Sequence, residues 1–415
     1  MKVLIIGRGG REHAIAWKVA QSPLVEKVFV APGNAGIAQD YVCVPMEETD
    51  TDALIDFAKK EQITLTIVGP EAALVNGVTD AFQAAGLTIF GPTKAAARIE
   101  SSKSFAKELM KKYHIPTADF ALFSDYDSAK QYINKKGVPI VIKYNGLAAG
   151  KGVIIAQTIE EATNALKEML VDRKFGTSDV VIEDFLSGPE FSLMTLVNGE
   201  EVVALPIAQD HKRAYDGDKG PNTGGMGAYS PVSVISQAVI DEAMETIMKP
   251  TAKAMMQEGA PVCGVLYGGL MLTQEGPKVI EFNARFGDPE TEVVLPKISS
   301  DLVQHVLDIL ALNPTEIICH SDIFLGVVLA SKGYPGSFEK RVPIFGLETV
   351  ENIVFHCGTT FEDNQWVNTG GRVLLVVGRG ENAQAAKQNA YQGVEKIKSD
   401  NLFYRKDIGY QLLEQ

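Results

Sequence analysis

The chain is poor in cysteine: four residues in 415 (Cys43, Cys263, Cys319 and Cys357), far apart and without a C-x-x-C pair. That scarcity excludes a disulfide framework and a zinc site of ordinary ligand spacing. No run of 18 apolar residues occurs, so nothing reads as a membrane span. The opening MKVLIIG has four apolar residues before Gly7, too few for the core of a signal peptide. Positive charge is also scarce. Against 52 Asp and Glu stand 39 Lys and Arg, a net charge of −13, so the bulk surface repels nucleic acid and anionic lipid. No nucleic-acid or membrane partner is expected, and an anionic substrate must meet local positive charge. Reduced thiols and the missing leader give a cytoplasmic expectation. No internal repeat or low-complexity tract is present. The length and a 46% hydrophobic content fit about three domains.

The first hundred residues alternate short apolar runs (3–6, 28–30, 65–68 and 87–90) with helical patterns, which predicts a parallel, doubly wound α/β sheet. Each run ends in a turn: GRGGREHA (7–14), APGNAG (31–36), GPE (69–71) and FGP (90–92). In open α/β sheets ligands sit beyond the carboxyl ends of the strands, so all four turns point to one site. The dinucleotide fingerprint G-x-G-x-x-G is incomplete, because Glu12 stands in the third glycine's place and Val30-Ala31-Pro32 replaces the expected acid. A mononucleotide or sugar phosphate at the start of the Arg11 helix fits better.

Residues 138–153 read VPIVIKYNGLAAGKGV. An apolar run delivers Lys143 to a loop with Gly146, Gly150, Lys151 and Gly152. A Walker A loop is excluded: no hydroxyl residue follows the lysine, and the continuation 153–156 is β-like, not helical. Two readings remain, a glycine flap over nucleotide phosphates between two strands and an ordinary hairpin turn. A helix over 94–113 carries Lys103 and Lys107, both expected to be solvated. After the strand 180–182, Glu183 to Glu190 is either a nucleotide-binding hinge or a polar linker. The stretch 210–231, DHKRAYDGDKGPNTGGMGAYSP, is expected to be neither helix nor strand but a functional loop. Its His211-Lys212-Arg213 supplies positive charge. A strand over 279–286 places Ile280, Phe282 and Ala284 on one face and Glu281, Asn283 and Arg285 on the other, about 7 Å apart. A carboxylate beside an amide oxygen suits Mg²⁺; the alternative is a solvated strand face. After 313–314 a third, smaller α/β unit follows.

Together GRGGREHA, GPE, KYNGLAAGKGV (143–153), HKRAYDGDKGPNTGGMGAYSP (211–231) and EFNARFGDPE (281–290) resemble glycinamide ribonucleotide synthetase, the phosphoribosylamine-glycine ligase family of the ATP-grasp superfamily. The resemblance runs over essentially the whole chain. It implies an N-terminal domain (1–102), an ATP-grasp domain (103–315, with a flap subdomain over 118–188) and a C-terminal domain (316–415). It also implies that ATP, glycine and 5-phosphoribosylamine give glycinamide ribonucleotide, ADP and phosphate through glycyl phosphate, in de novo purine biosynthesis, with Mg²⁺ or Mn²⁺, in a monomer. ATP is then expected on Lys103, Lys143, Gly150, Lys151, Gly152, Glu183, Phe185, Leu186 and Glu190, and metal on Glu281 and Asn283. Glycine and the ribosylamine fall to Gly9, Gly10, Asn34, Gly36, Glu71, Asp210, Lys212, Arg285, Gly287 and Asp288, with Arg285 and Lys143 acting on the transferring phosphoryl group. Two departures stand out: Tyr144-Asn145 where the family's flap usually has Ala-Asp, and Glu292 where it usually has Gln. Rival readings are another ATP-grasp ligase or biotin-carboxylase-like enzyme, a nicotinamide-dependent oxidoreductase and a nucleotide sensor.

Overall fold

A computed structural model of the chain describes residues 1–146 and 152–413. Strands β1 (Lys2–Gly7), β2 (Lys27–Pro32), β3 (Val42–Cys43), β4 (Leu65–Val68) and β5 (Ile89–Phe90) form a parallel sheet in the order β3-β2-β1-β4-β5. Val3, Leu4, Ile5 and Ile6 are all fully buried, as expected of a strand covered on both faces. Helix α1 (Gly10–Val19) leaves the first turn. The doubly wound sheet predicted from the apolar runs is present.

The helix expected over 94–113 is interrupted at Ser102. The residue takes an extended conformation, and its hydroxyl accepts the Phe105 N–H at 3.3 Å, starting α2 (Lys103–Lys112) afresh. Lys103 therefore stands at the first position of a helix.

Two antiparallel sheets follow. β6 (Phe120–Phe123), β7 (Ile140–Tyr144), β8 (Val153–Ala156) and β9 (Val180–Asp184) pair in the order β6-β9-β7-β8 over a separate core that includes Ile133, Ile142, Leu166, Met169 and Ile182. β7 and β8 are the strands predicted on either side of the glycine loop. β10 (Glu190–Asn198) and β11 (Glu201–Ala204) join a second sheet, completed by two strands described below.

The stretch 210–231 corrects the sequence reading. It contains β12 (Gln209–Asp210), β13 (Arg213–Tyr215), β14 (Lys219–Asn222) and β15 (Gly227–Ser230). β13 and β14 make a hairpin, and β15 pairs with a strand nearly a hundred residues on, Ile323–Ser331. That ladder satisfies backbone groups that local composition left without partners. A sheet in the order β12, β15, Ile323–Ser331, Arg372–Gly380, Ile353–His356 results, with Leu402–Phe403 also on Ile323–Ser331.

β16 (Cys263–Thr273) and β17 (Gly276–Asn283) complete the sheet β11-β10-β16-β17. β17 ends at Asn283, three residues short of the predicted end, so Arg285 lies on the turn beyond it. A register shift opposite Gly269 and Leu270 makes Ile280 an extra residue. Ile280 therefore shares the cavity wall with Glu281 and Asn283 instead of taking the opposite face. Helix α3 (Thr291–Lys297) packs on α1, and α4 (Ala383–Lys396) covers Arg372–Gly380. Among the described residues no helix is long and apolar enough to cross a membrane.

Candidate active site

A cavity of about 1250 Å³ lies where the two antiparallel sheets, the turns beyond the parallel sheet and the C-terminal sheet meet. One wall comes from β7–β9 (Val141, Lys143, Val153, Glu183), the facing wall from β17 (Ile280 to Asn283). Between them runs the hinge, with Phe185 and Leu186 lining the cavity. Gly188 carries the hinge past β16. At φ +150° a Cβ there would stand 1.9 Å from the Leu272 carbonyl oxygen, so only glycine fits.

Behind the hinge, Glu183 is almost wholly buried and holds two lysines. Its Oε2 meets Lys107 Nζ at 2.9 Å and its Oε1 meets Lys143 Nζ at 3.0 Å. Lys143 also donates to the Ile280 carbonyl at 2.8 Å and so ties the two walls together. Lys107, predicted solvated, is 3% exposed, and burial draws its ammonium down to about 8 against the pull of Glu183. Lys103 lines the cavity and donates to the Gly146 carbonyl at 2.9 Å. The Asn145 side chain accepts the Ser104 N–H (3.0 Å) and donates to its hydroxyl (2.9 Å), so it caps α2 and fixes the loop start beside Lys103. Tyr144 is buried against Phe175. Both departures in the flap motif are thereby packing residues. Gly152 lines the cavity; Gly150 and Lys151 lie outside the described residues.

Glu281 and Asn283 face the cavity floor. Burial would raise the Glu281 carboxyl, but Lys212, Lys143, Lys103 and Arg285 together hold it below the usual range, so it is ionised. Among the described residues no three His, Cys, Asp or Glu side chains gather as a closed metal cage. One carboxylate and one amide oxygen beside phosphate-binding lysines suit a hard cation that keeps waters and phosphate oxygens as its other ligands. Lys212 joins from the 210–231 segment, donating to Glu190 at 2.7 Å with Asp210 at 3.9 Å. Burial pushes Asp210 up to about 7; Lys212 opposes this, while Glu290 and Glu190 add to it.

The acceptor end is a net of arginines and acids. Arg285 meets Glu100 at 3.0 Å and Glu71 at 3.5 Å. Arg11 pairs with Glu12 at 2.6 Å and donates to the Phe286 carbonyl at 3.0 Å. Glu12 accepts the Gly9 N–H at 2.6 Å and fills the crook of the first turn, where a dinucleotide's pyrophosphate would pass. Burial would raise Glu71, but Arg285 and Arg11 hold it below its ordinary value. Asp288 meets Arg372 at 2.9 Å.

Glu71, Asp210, Lys212, Arg285 and Asp288 thus line the cavity with Lys103, Lys143, Gly152, Glu183, Phe185, Leu186, Glu190, Glu281 and Asn283. Gly9, Gly10, Asn34, Gly36 and Gly287 do not reach its lining. Asn34 is occupied by the fold: its amide donates to the Arg8 and His356 carbonyls, and its oxygen accepts Gly36 and Ile37 N–H groups. A Cβ on Gly36 would fall 2.0 Å from the His356 ring, so this glycine admits the C-terminal sheet. Sequence reasoning missed Arg372, Glu100 and the buried trio Ser192, Tyr267 and Glu290, in which both hydroxyls lie within 3.0 Å of the Glu290 carboxylate. Arg11 stood in a quoted motif and gave a usable signal; Arg372 has none in its surroundings.

A nucleotide-sized cleft clamped between two antiparallel sheets, ahead of which stands a parallel sheet, defines an ATP-grasp protein. Biotin carboxylase from Campylobacter jejuni, solved as a β,γ-ATP complex, shares this fold at a TM-score of 0.73 and 14% identity over 99% of this chain and 94% of that one. Models of phosphoribosylglycinamide synthetase match in three parts: the N domain at 1–100, the ATP-grasp (A) domain at 101–291 and the C domain at 324–411. The chain belongs to the phosphoribosylglycinamide synthetase family. It is 54% identical to the phosphoribosylamine–glycine ligase of Halalkalibacterium halodurans, covering 100% of this chain and 98% of the relative. The corresponding ligase of Streptococcus pneumoniae is 50% identical, with 100% of both chains covered. The crystal structure of the Thermotoga maritima ligase superposes at a TM-score of 0.88, with 36% identity over 99% of this chain and 100% of that one.

Proposed function

We infer that the chain ligates glycine to 5-phosphoribosylamine at the expense of ATP, releasing glycinamide ribonucleotide, ADP and phosphate in de novo purine biosynthesis. The observation that carries this reading is the convergence of Lys103, Lys143, Lys212 and Arg285 on the Glu281 carboxylate, between the hinge and the acceptor end. Such a cluster serves a reaction in which charge moves from a phosphate chain to an acceptor.

The adenine sits at the Phe185–Leu186 hinge, with Glu190 on the ribose side. Lys103 and Lys143 hold the phosphates, and Glu183, through its two ion pairs, keeps Lys143 and Lys107 extended into the cleft. Gly152 belongs to the flap beside them, and Gly150 and Lys151 are assigned to ATP on the sequence motif. Glu281 and Asn283 would hold Mg²⁺ or Mn²⁺, which when bound supplies charge neutralisation at the phosphate oxygens. The glycine carboxylate attacks the γ-phosphorus, giving glycyl phosphate and ADP, and Arg285 neutralises the charge on the phosphoryl group in transit. The ribosylamine nitrogen then attacks the glycyl carbonyl and phosphate leaves. Asp210 receives the glycine ammonium, and Asp288 and Glu71 the ribosylamine side. Gly9, Gly10, Asn34 and Gly36 shape the turns over which the ribosyl phosphate lies, and Gly287 the turn before Asp288. No side chain needs to form a covalent bond, because positioning and charge carry the catalysis. The reading extends to three domains (1–102, 103–315 and 316–415) and to a cytoplasmic monomer; the family-model spans support the first division and the third.

ADP release that requires both glycine and phosphoribosylamine is expected, and turnover driven equally by bicarbonate would overturn the reading. Glu281→Ala with Asn283→Ala should lower kcat by about 10²–10³-fold or more, since each removes a group that meets transition-state charge.

A further inference from the structure

One acid beside the acceptor end has no part in the chemistry above. Glu292, in the first turn of α3, is fully buried, and neither carboxyl oxygen meets a donor from another residue. The first glycine turn closes over it: a Cβ on Gly10 would lie 2.7 Å from Glu292 Oε1 and 2.6 Å from Cys357 Sγ. Asp288 is within hydrogen-bonding reach of the same carboxyl. Glu292 stops short of the cavity, whereas Asp288 lines it. Asp288 in turn has Arg372 Nη1 on its Oδ1 at 2.9 Å.

The groups around Glu292 fix its state. Asp288 precedes it on the turn, Arg372 comes from the C-terminal sheet and Cys357 from the end of its neighbouring strand, while the Arg11–Glu12 pair of α1 acts on Asp288 and Cys357. Burial first and the Asp288 charge second drive the carboxyl far above its ordinary range, with Arg372 opposing. An ionised carboxylate here would be buried with no donor beyond its own backbone N–H, which is costly. A neutral one has a single O–H to give, and the acceptor in reach is Asp288.

We propose that Glu292 is a positioning residue for the acceptor amine: as a neutral acid it donates a hydrogen bond to Asp288 and, opposite Arg372, fixes that carboxylate in the orientation that receives the ribosylamine. The inference rests on the assignment of Asp288 to the ribosylamine side. It gives the acceptor end an alkaline limit of its own, because loss of the Glu292 proton sets two carboxylates against each other.

The test compares the full chain with Glu292→Gln, Glu292→Ala and Asp288→Asn between pH 6 and 10 in phosphate-release assays, reading KM separately for ribosylamine and ATP. The wild type should show a ribosylamine KM that climbs about tenfold per pH unit at the alkaline end, as for a single ionisation. Glu292→Gln keeps a donor that does not titrate, so its KM should stay low and flat, whereas Glu292→Ala should raise it at every pH; at each pH the ATP KM of both should match that of the wild type. The same alkaline climb in Glu292→Gln as in the wild type, or a Glu292→Ala profile identical to wild type, would overturn the proposal. If Asp288→Asn leaves the ribosylamine KM unchanged, the assignment of Asp288 fails and takes the inference with it. An Asp288→Asn effect without a Glu292→Gln effect overturns the inference alone.

Discussion

Lys143 shows how one side chain can belong to both the fold and the chemistry. It faces the cavity, yet its ammonium is buried between Glu183 and the Ile280 carbonyl. Lys143→Met should cost about 3–5 kcal/mol in denaturant unfolding, since it leaves Glu183 buried with one partner. The same variant should impair ATP use and spare ribosylamine binding to the parallel-sheet turns; equal loss of both would remove Lys143 from the nucleotide site. Asp210 gives the pH dependence its acid side. With its carboxyl pushed up to about 7 by burial, Asp210 is a carboxylate above that pH and a neutral acid below it. The glycine KM should therefore rise about tenfold per pH unit below neutrality, and Asp210→Asn should abolish that slope. At this scale the sequence identified many of the polar residues that line the cavity. Lys107 could not be read, because a lysine on a helix surface reveals its burial only when Glu183 arrives from another sheet.

Among elements, strands were legible wherever an apolar run and a turn coincided, as in β1, β4, β7 and β9. β12 to β15 were not, because their pairing depends on Ile323–Ser331 and on a hairpin rich in glycine and charge. The end of β17 was overrun for a related reason: alternation continues through Arg285, while the ladder stops at Asn283. The turn at Gly36 joins the parallel sheet to the C-terminal sheet through His356. Gly36→Ala should part these two elements, raising the ribosylamine KM at least about tenfold, the scale of a small displacement in a binding site. ATP affinity, measured by equilibrium titration, should be unchanged.

For the molecule as a whole, the C-terminal segment closes the site from outside the ATP-grasp sheets. Arg405 is completely buried, with Asp218 and Asp407 each at 2.7 Å, and so clamps the hairpin β13–β14 to residues 405–411, of which Tyr410 and Gln411 line the cavity. Arg405→Ala should lower stability by about 1–3 kcal/mol in denaturant melts, the scale of lost charge-assisted hydrogen bonds, since both carboxylates are partly exposed and each keeps a second donor. Turnover of the folded fraction should fall as well, because both segments supply cavity wall. Nothing in the composition near 405 points to the hairpin nearly two hundred residues earlier, and such long-range pairing is the part of the architecture that local patterns do not encode.

The sheet β6-β9-β7-β8 carries its own core, apart from the one that spans the parallel sheet, the β11-β10-β16-β17 sheet and the C-terminal sheet. Heritable variation in Ile133, Leu166 or Met169 would therefore act on this sheet and its nucleotide contacts and leave the packing that shapes the acceptor pocket undisturbed.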